Sequence, residues 1–120
     1  MTVEGSAYIR FRRALDRGNV TEALSAASEL EFVSLAEALE LTLLLADRKP
    51  EKFERAAARW HLRFAQEVPQ VDLRESLAVL ALLAAIPTNR LAASALAELL
   101  SRRRSCERIA EALVRWSRAA

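Results

Sequence analysis

Only two glycines, Gly5 and Gly18, and three prolines punctuate a chain of 120 residues. A sheet protein needs Gly, Pro, Asn and Asp at its many tight turns, and this chain has few of them. Alanine, with 24 copies, and leucine, with 20, dominate instead, and both are strong helix formers. The expectation is an all-α fold in a single domain over residues 1–120, a length that one core organises. A chain 52% hydrophobic and 28% charged is globular, which excludes disordered and low-complexity classes.

Caps and breakers divide the chain into about seven helices. The first runs from about Ser6 to Arg17 and stops at Gly18-Asn19, where glycine tolerates the left-handed conformation of a C-terminal cap. Asn19, with Glu22 three residues on, opens a second helix that continues to about Leu30. Ser34-Leu35-Ala36-Glu37 is a capping box for a third, ending near Ala46-Asp47. Pro50 fits the first position of a fourth, which runs to about Glu67. Asp72-Leu73-Arg74-Glu75 starts a fifth that Pro87 ends. Thr88 caps a sixth, to about Arg103, and Ser105 a seventh. Links this short make neighbouring helices antiparallel. The spacing predicts three hairpins with the seventh helix closing one end, either as helical-hairpin layers or as a compact irregular bundle.

The helices differ in their faces. In the fourth, Phe53, Ala56, Ala57, Trp60 and Phe64 form one apolar stripe, and Cys106, Ile109, Ala110, Leu113 and Trp116 repeat the pattern in the seventh. The third has only Glu37 and Glu40 as strongly polar residues between Leu35 and Ala46, and the fifth has none between Leu77 and Ile86. Helices apolar all round are buried all round, so these two are expected at the centre. Two such helices exceed what a small subunit covers easily. The sequence therefore points to a homodimer across a two-fold axis, burying roughly 1,200–2,000 Å² or more, the alternative being a monomer whose seven helices suffice to cover both.

The single Cys106 excludes an internal disulfide. No secretory leader is visible at the N-terminus, and the ten apolar residues of Leu77–Ile86 fall short of the roughly 18–20 that a membrane span needs. The expectation is a cytoplasmic protein with no membrane partner. Sixteen arginines against two lysines, with abundant alanine, fit a GC-rich bacterial coding sequence.

Two glycines cannot write a phosphate-binding loop or a dinucleotide fingerprint, and no Gly-x-Ser-x-Gly elbow exists. One histidine and one cysteine do not make a zinc site of the usual type. No catalytic residue, metal or cofactor is expected, and the reading leans away from an enzyme. The residues left to consider are His61, at the edge of the fourth helix's apolar stripe; the carboxylates Glu37 and Glu40; and Cys106. The histidine is expected to donate to a backbone carbonyl or to water, and the two glutamates to form a partly exposed edge. Cys106 reads as a small buried hydrophobe, although its arginine neighbours favour the thiolate.

Charge is more informative by region than in total, which is +2. Residues 18–46 carry five glutamates and no cation, whereas the segments on either side are basic. The acidic helices are expected to complement basic neighbours within one fold or across a dimer. Arg10, Arg13 and Arg17 on the first helix, with Lys52, Arg55, Arg59 and Arg63 on the fourth, form a candidate basic surface. The leading function is a non-enzymatic helical interaction module, regulatory or accessory, that binds a protein partner. Nucleic-acid binding through the basic surface is the alternative. A small-ligand or enzyme site near His61 is third.

Asp16-Arg17-Gly18-Asn19 followed by Glu22-Ala23-Leu24, Ala27 and Glu29-Leu30 resembles half of a tetratricopeptide unit, without its closing proline or a second copy; this implies a helical hairpin. More of the chain is similar to a group of small all-helical actinobacterial proteins. The matching segments are Arg10-Phe11-Arg12-Arg13-Ala14-Leu15 with Gly18-Asn19, Leu35-Ala36-Glu37-Ala38-Leu39, Phe53-Glu54-Arg55-Ala56-Ala57 with Arg59-Trp60-His61 and Arg63-Phe64, and Leu77–Pro87. That resemblance implies a self-contained all-helical domain and no particular activity.

Overall fold

The computed structural model describes residues 2–119. The elements are α1 (Val3–Arg17), α2 (Val20–Ser28), α3 (Leu35–Arg48), α4 (Phe53–Glu67), α5 (Leu73–Ala85), α6 (Leu91–Leu100) and α7 (Glu107–Arg118), with single 3-10 turns at Pro50–Lys52 and Arg104–Cys106. The fold is all-α.

Side-chain caps fix four of the helix starts. Thr2, Asn19, Ser34 and Asp72 each accept a hydrogen bond from the backbone N–H three residues on, satisfying an amide that would otherwise lack a partner. Thr2 thus starts α1 three residues before the expected Ser6. At its other end Gly18 adopts φ 70°, and Asn19 N–H reaches back to the Ala14 carbonyl at 2.9 Å, closing the helix with the bond pattern of a glycine cap. Two expected caps differ. The Thr88 hydroxyl turns back to the Ala85 carbonyl, and Asn89 Oδ1 instead accepts from Leu91 N–H, so α6 begins at Leu91. Ser105 lies within a 3-10 turn, and α7 starts after it without a side-chain cap. Both segments follow a tight turn, where the Thr88 hydroxyl has a local carbonyl to bond as an alternative to capping and the Ser105 hydroxyl meets the Cys106 sulfur.

Consecutive helices from α3 to α7 pack side by side, and α7 returns to pack on α3. The five form a closed ring around one core. The seventh helix therefore lies along α6 and α3 and completes the wall, whereas the sequence placed it across one end. Its four apolar core positions, Ile109, Ala110, Ala112 and Leu113, need two neighbours to cover them. The ring's interior holds Leu39, Leu43, Trp60, Phe64, Val79, Leu83, Leu96, Leu100 and Leu113. Trp60 and Phe64 stack at 5.5 Å between centroids, and the Trp60 indole N–H donates to the Leu35 carbonyl at 2.8 Å. The α1–α2 hairpin lies outside the ring on α3, with a smaller cluster of its own formed by Phe11, Ala14, Ala23 and Ala26.

Arginines fasten the joints. Arg90 stacks over the Trp116 ring at 3.7 Å and donates to the Trp116 carbonyl, while the indole N–H donates to Asp47. Arg103 bonds the Pro69 and Gln70 carbonyls and the Glu75 carboxylate. It thereby holds the α4–α5 loop, in which Gln70 takes a left-handed φ of 61°.

The third helix is central, as expected, but the fifth is not. Only Val79 and Leu83 of α5 are buried. Leu73 is 75% exposed and Leu77 56% exposed. Hydropathy alone placed α5 inside. Its apolar residues surround the helix, yet among the described residues α5 packs only on α4 and α6, which leaves its outer side uncovered.

Candidate interaction surface

The sequence-derived candidates fall into three settings. The first is a polar crevice of about 440 Å³ between α1, α3 and α7. Here Arg12 reaches across from α1 to Glu37 at 3.2 Å and to Glu40 at 2.8 Å, with Asp16 on its own helix completing the set. Tyr8 donates to Glu37 at 2.8 Å, and this bond raises the tyrosine's pKa above its ordinary value. Arg115 approaches Glu40 from α7 at 3.4 Å. Glu37 and Glu40 are therefore acceptors in a clamp that seats α1 on α3. Arg10 acts similarly, donating to Glu22 of α2 and to Glu29 just after it. Four of the five glutamates of residues 18–46 are thus ion-paired within one chain.

His61 and Cys106 occupy the second setting, the joints of the ring. His61 Nε2 lies 2.9 Å from the Ser76 carbonyl oxygen. The same nitrogen is 3.0 Å from the Ser76 hydroxyl, and the two contacts pin α4 to α5. Cys106 is fully buried. Burial pushes its thiol pKa up, against smaller lowering effects from Ser105 and Arg103. Desolvation of a thiolate outweighs the basic neighbours visible in the sequence.

The third setting is the outer surface. Of the seven cations in the sequence-derived basic surface, Arg10 is paired as above. Arg63 is engaged by Glu67 at 2.7 Å, by the Val33 carbonyl, and by the Phe32 ring beneath its guanidinium. Arg13, Arg17, Lys52, Arg55 and Arg59 form no ion pair among the described residues. They sit on different pairs of helices, since α1 packs on α2 and α3 while α4 packs on α3 and α5. Lys52, Arg55 and Arg59 share the rim of a groove of about 520 Å³ whose apolar walls include Leu24 and Leu45.

Beside that row lies a feature absent from the sequence-derived sites. Leu73, Leu77, Leu80 and Ala84 recur at the 4, 3, 4 spacing of one helical stripe, and all four are exposed on α5. Ala58, Leu62 and Ala65 form an exposed stripe on α4, with Leu62 58% exposed. Leu62 directly follows His61 and Leu77 directly follows Ser76, the pair that joins the two helices. The helix joint therefore brings the two stripes together on the outside of the hairpin. The signal was present in the sequence as the uninterrupted Leu77–Ile86 run, but only the packing shows which side of it remains uncovered.

A further shallow groove of about 820 Å³ runs between α6 and α7, floored by Ala97, Ala110 and Val114. No group of three or more metal-ligating side chains occurs among the described residues. No described helix is long and apolar enough to cross a membrane. No protein-family model matches the chain, and no curated protein or solved structure is significantly similar to it.

Proposed function

We propose that this chain is a non-enzymatic helical interaction module of the cytoplasm that binds a protein partner through the outer face of α4 and α5. The observation that supports the reading is the uncovered stripe Leu73, Leu77, Leu80 and Ala84, with Leu62 beside it. Contiguous exposed apolar surface of this kind is characteristic of interaction sites, because burying it against a partner removes it from water. The contacts of Glu37 and Glu40 with Arg12, and of His61 with Ser76, support a reading without catalysis.

A photo-reactive side chain at Leu77, expressed in the native host, tests this reading, with Thr21 on α2 as the exposed control. A discrete protein adduct at Leu77 and none at Thr21 is expected. Equal labelling at both positions, or no adduct at Leu77, overturns it. Nucleic-acid binding is the second reading, supported by Arg13, Arg17, Lys52, Arg55 and Arg59, which form no ion pair among the described residues. Neutralising phosphates releases counterions, so that reading requires binding to duplex DNA or RNA that weakens steeply with salt. No binding at low salt removes it.

A further inference from the structure

We infer that the outer α4–α5 face is built to receive an acidic amphipathic helix of a partner protein. The inference rests on the protein-binding reading above and adds the chemistry of the occupant. The face has two parallel components. One is the leucine and alanine surface of α5 continued by Ala58, Leu62 and Ala65 on α4. The other is the row Lys52, Arg55 and Arg59, which starts in the turn before α4, lies beyond Leu62 on the side of α4 towards Leu24 and Leu45, and forms no ion pair among the described residues. An apolar seam edged on one side by cations is complementary to a helix with an apolar stripe flanked by carboxylates. From Leu73 to Ala84 the seam runs roughly 16 Å, the length of about three helical turns.

The molecule already contains a joint of this type. Helix α3, like α5, contains an apolar run, and its outer side is covered by the amphipathic α1, whose Arg12 meets Glu37 and Glu40 on α3. At α4–α5 the signs are reversed: the cations lie on the receiving hairpin, so the covering helix supplies the carboxylates.

Other occupants fit less well. A second copy docked through α5 brings only Arg74 and Glu75 as charged residues of that helix, and Glu75 is held by Arg103. It offers no free α5 carboxylate to Arg55 or Arg59. The acids nearest the row, Glu51 and Glu54, share its own first turns and form no ion pair with it. A lipid surface is usually met by aromatic residues at the water boundary, but Phe53, Trp60 and Phe64 of α4 all point into the core. Nucleic acid gains nothing from four exposed leucines.

The test uses the full chain and two fluorescent helical peptides of about 18 residues. Both carry the same leucine stripe, flanked by glutamate in one and by glutamine in the other. The glutamate peptide is expected to bind at least about tenfold tighter. Arg55→Glu with Arg59→Glu should remove that preference, and Leu77→Gln with Leu80→Gln should abolish binding of both peptides. All four positions are exposed, and an unchanged circular dichroism spectrum confirms folding of each variant. Equal affinity for the two peptides, binding of neither, or a preference that survives the charge reversal overturns the inference. So does a leucine-dependent dimer in sedimentation, or stronger binding to phosphatidylglycerol vesicles than to the peptide. A Leu77 adduct in the native host combined with no acidic preference would defeat this inference and leave the protein-binding reading intact. Absence of the adduct would defeat that reading.

Discussion

Helices α3 and α5 each contain an apolar run, Leu41–Ala46 broken only by Thr42 and Leu77–Ala85 without a polar residue, and the fold treats them differently. Both turn one side into the ring core, through Leu39 and Leu43 on α3 and through Val79 and Leu83 on α5. On the outer side of α3 the α1–α2 hairpin covers Leu41 and meets Glu37 and Glu40 with Arg12. No described element covers the outer side of α5, and Leu73 and Leu77 are exposed there. Apolar composition therefore states only that a helix needs cover. Whether that cover comes from its own chain depends on the remaining elements. Here the two helices available for an outer layer, α1 and α2, pair with each other and sit on α3.

The largest expected effect is at the covered helix. Leu43 is 1% exposed, and Leu43→Ala should lower the unfolding free energy by about 2–5 kcal/mol through lost burial and a residual cavity. Urea unfolding measures it. A loss below about 1 kcal/mol would mean that α3 is not the packed centre described here. Amide exchange gives the same comparison without mutation. Protection should be greatest over Leu39–Leu45 and lower along α5, whose outer contacts are missing; equal protection would break the contrast.

Arg12 tests what holds the cover in place. It links α1 to two α3 carboxylates that are mostly shielded from solvent. Arg12→Ala should cost about 1–2 kcal/mol. It should also speed amide exchange in α1 and α2 more than in the five-helix ring. A uniform change across all seven helices would show that the hairpin and ring unfold together.

Much of this was legible beforehand, and the gaps have physical causes. Helix starts at Asn19, Ser34 and Asp72 follow from side chains that bond an amide three residues on, a relation contained within a few residues. Thr88 and Ser105 carry the same residue types, but their hydroxyls sit in tight turns where nearby backbone or sulfur is within reach. Pairing of acidic α2 and α3 with basic residues was legible as a charge pattern. That the partners are Arg10 and Arg12 of the same chain required the hairpin's docking angle. The α4–α5 surface was hidden for another reason. An all-round apolar helix looks the same whether one side or every side is covered, so Leu73, Leu77 and Leu80 carried no mark of exposure.

Cys106 is a pH-dependent reporter on the α5 side, where Glu75 is among the groups that act on it. Burial raises the thiol's folded-state pKa above its unfolded value. In the interval between the two values the folded protein holds more protons, so unfolding free energy falls as pH rises through that interval. This contribution is complete below the ordinary thiol range and is lost once pH passes the folded value. Unfolding curves from neutral pH into the alkaline range should show the decline, and Cys106→Ala should flatten it. Thiol alkylation at neutral pH should be slow and limited by opening of the ring. Rapid labelling would mean that the Arg103 clamp on the α4–α5 loop does not keep this joint closed.

The smallest expected effect is the most discriminating, because it concerns the uncovered helix alone. Leu77 is 56% exposed and contributes little burial within the chain, so Leu77→Gln should change the unfolding free energy by less than about 0.5 kcal/mol. That near-zero result, set beside the large loss for Leu43→Ala, separates a face left open from a face already filled. A loss approaching that of Leu43→Ala would show that Leu77 is buried in solution by a second copy. Repeating the measurement across protein concentrations identifies that case, since a dimer's stability rises with concentration while a monomer's does not.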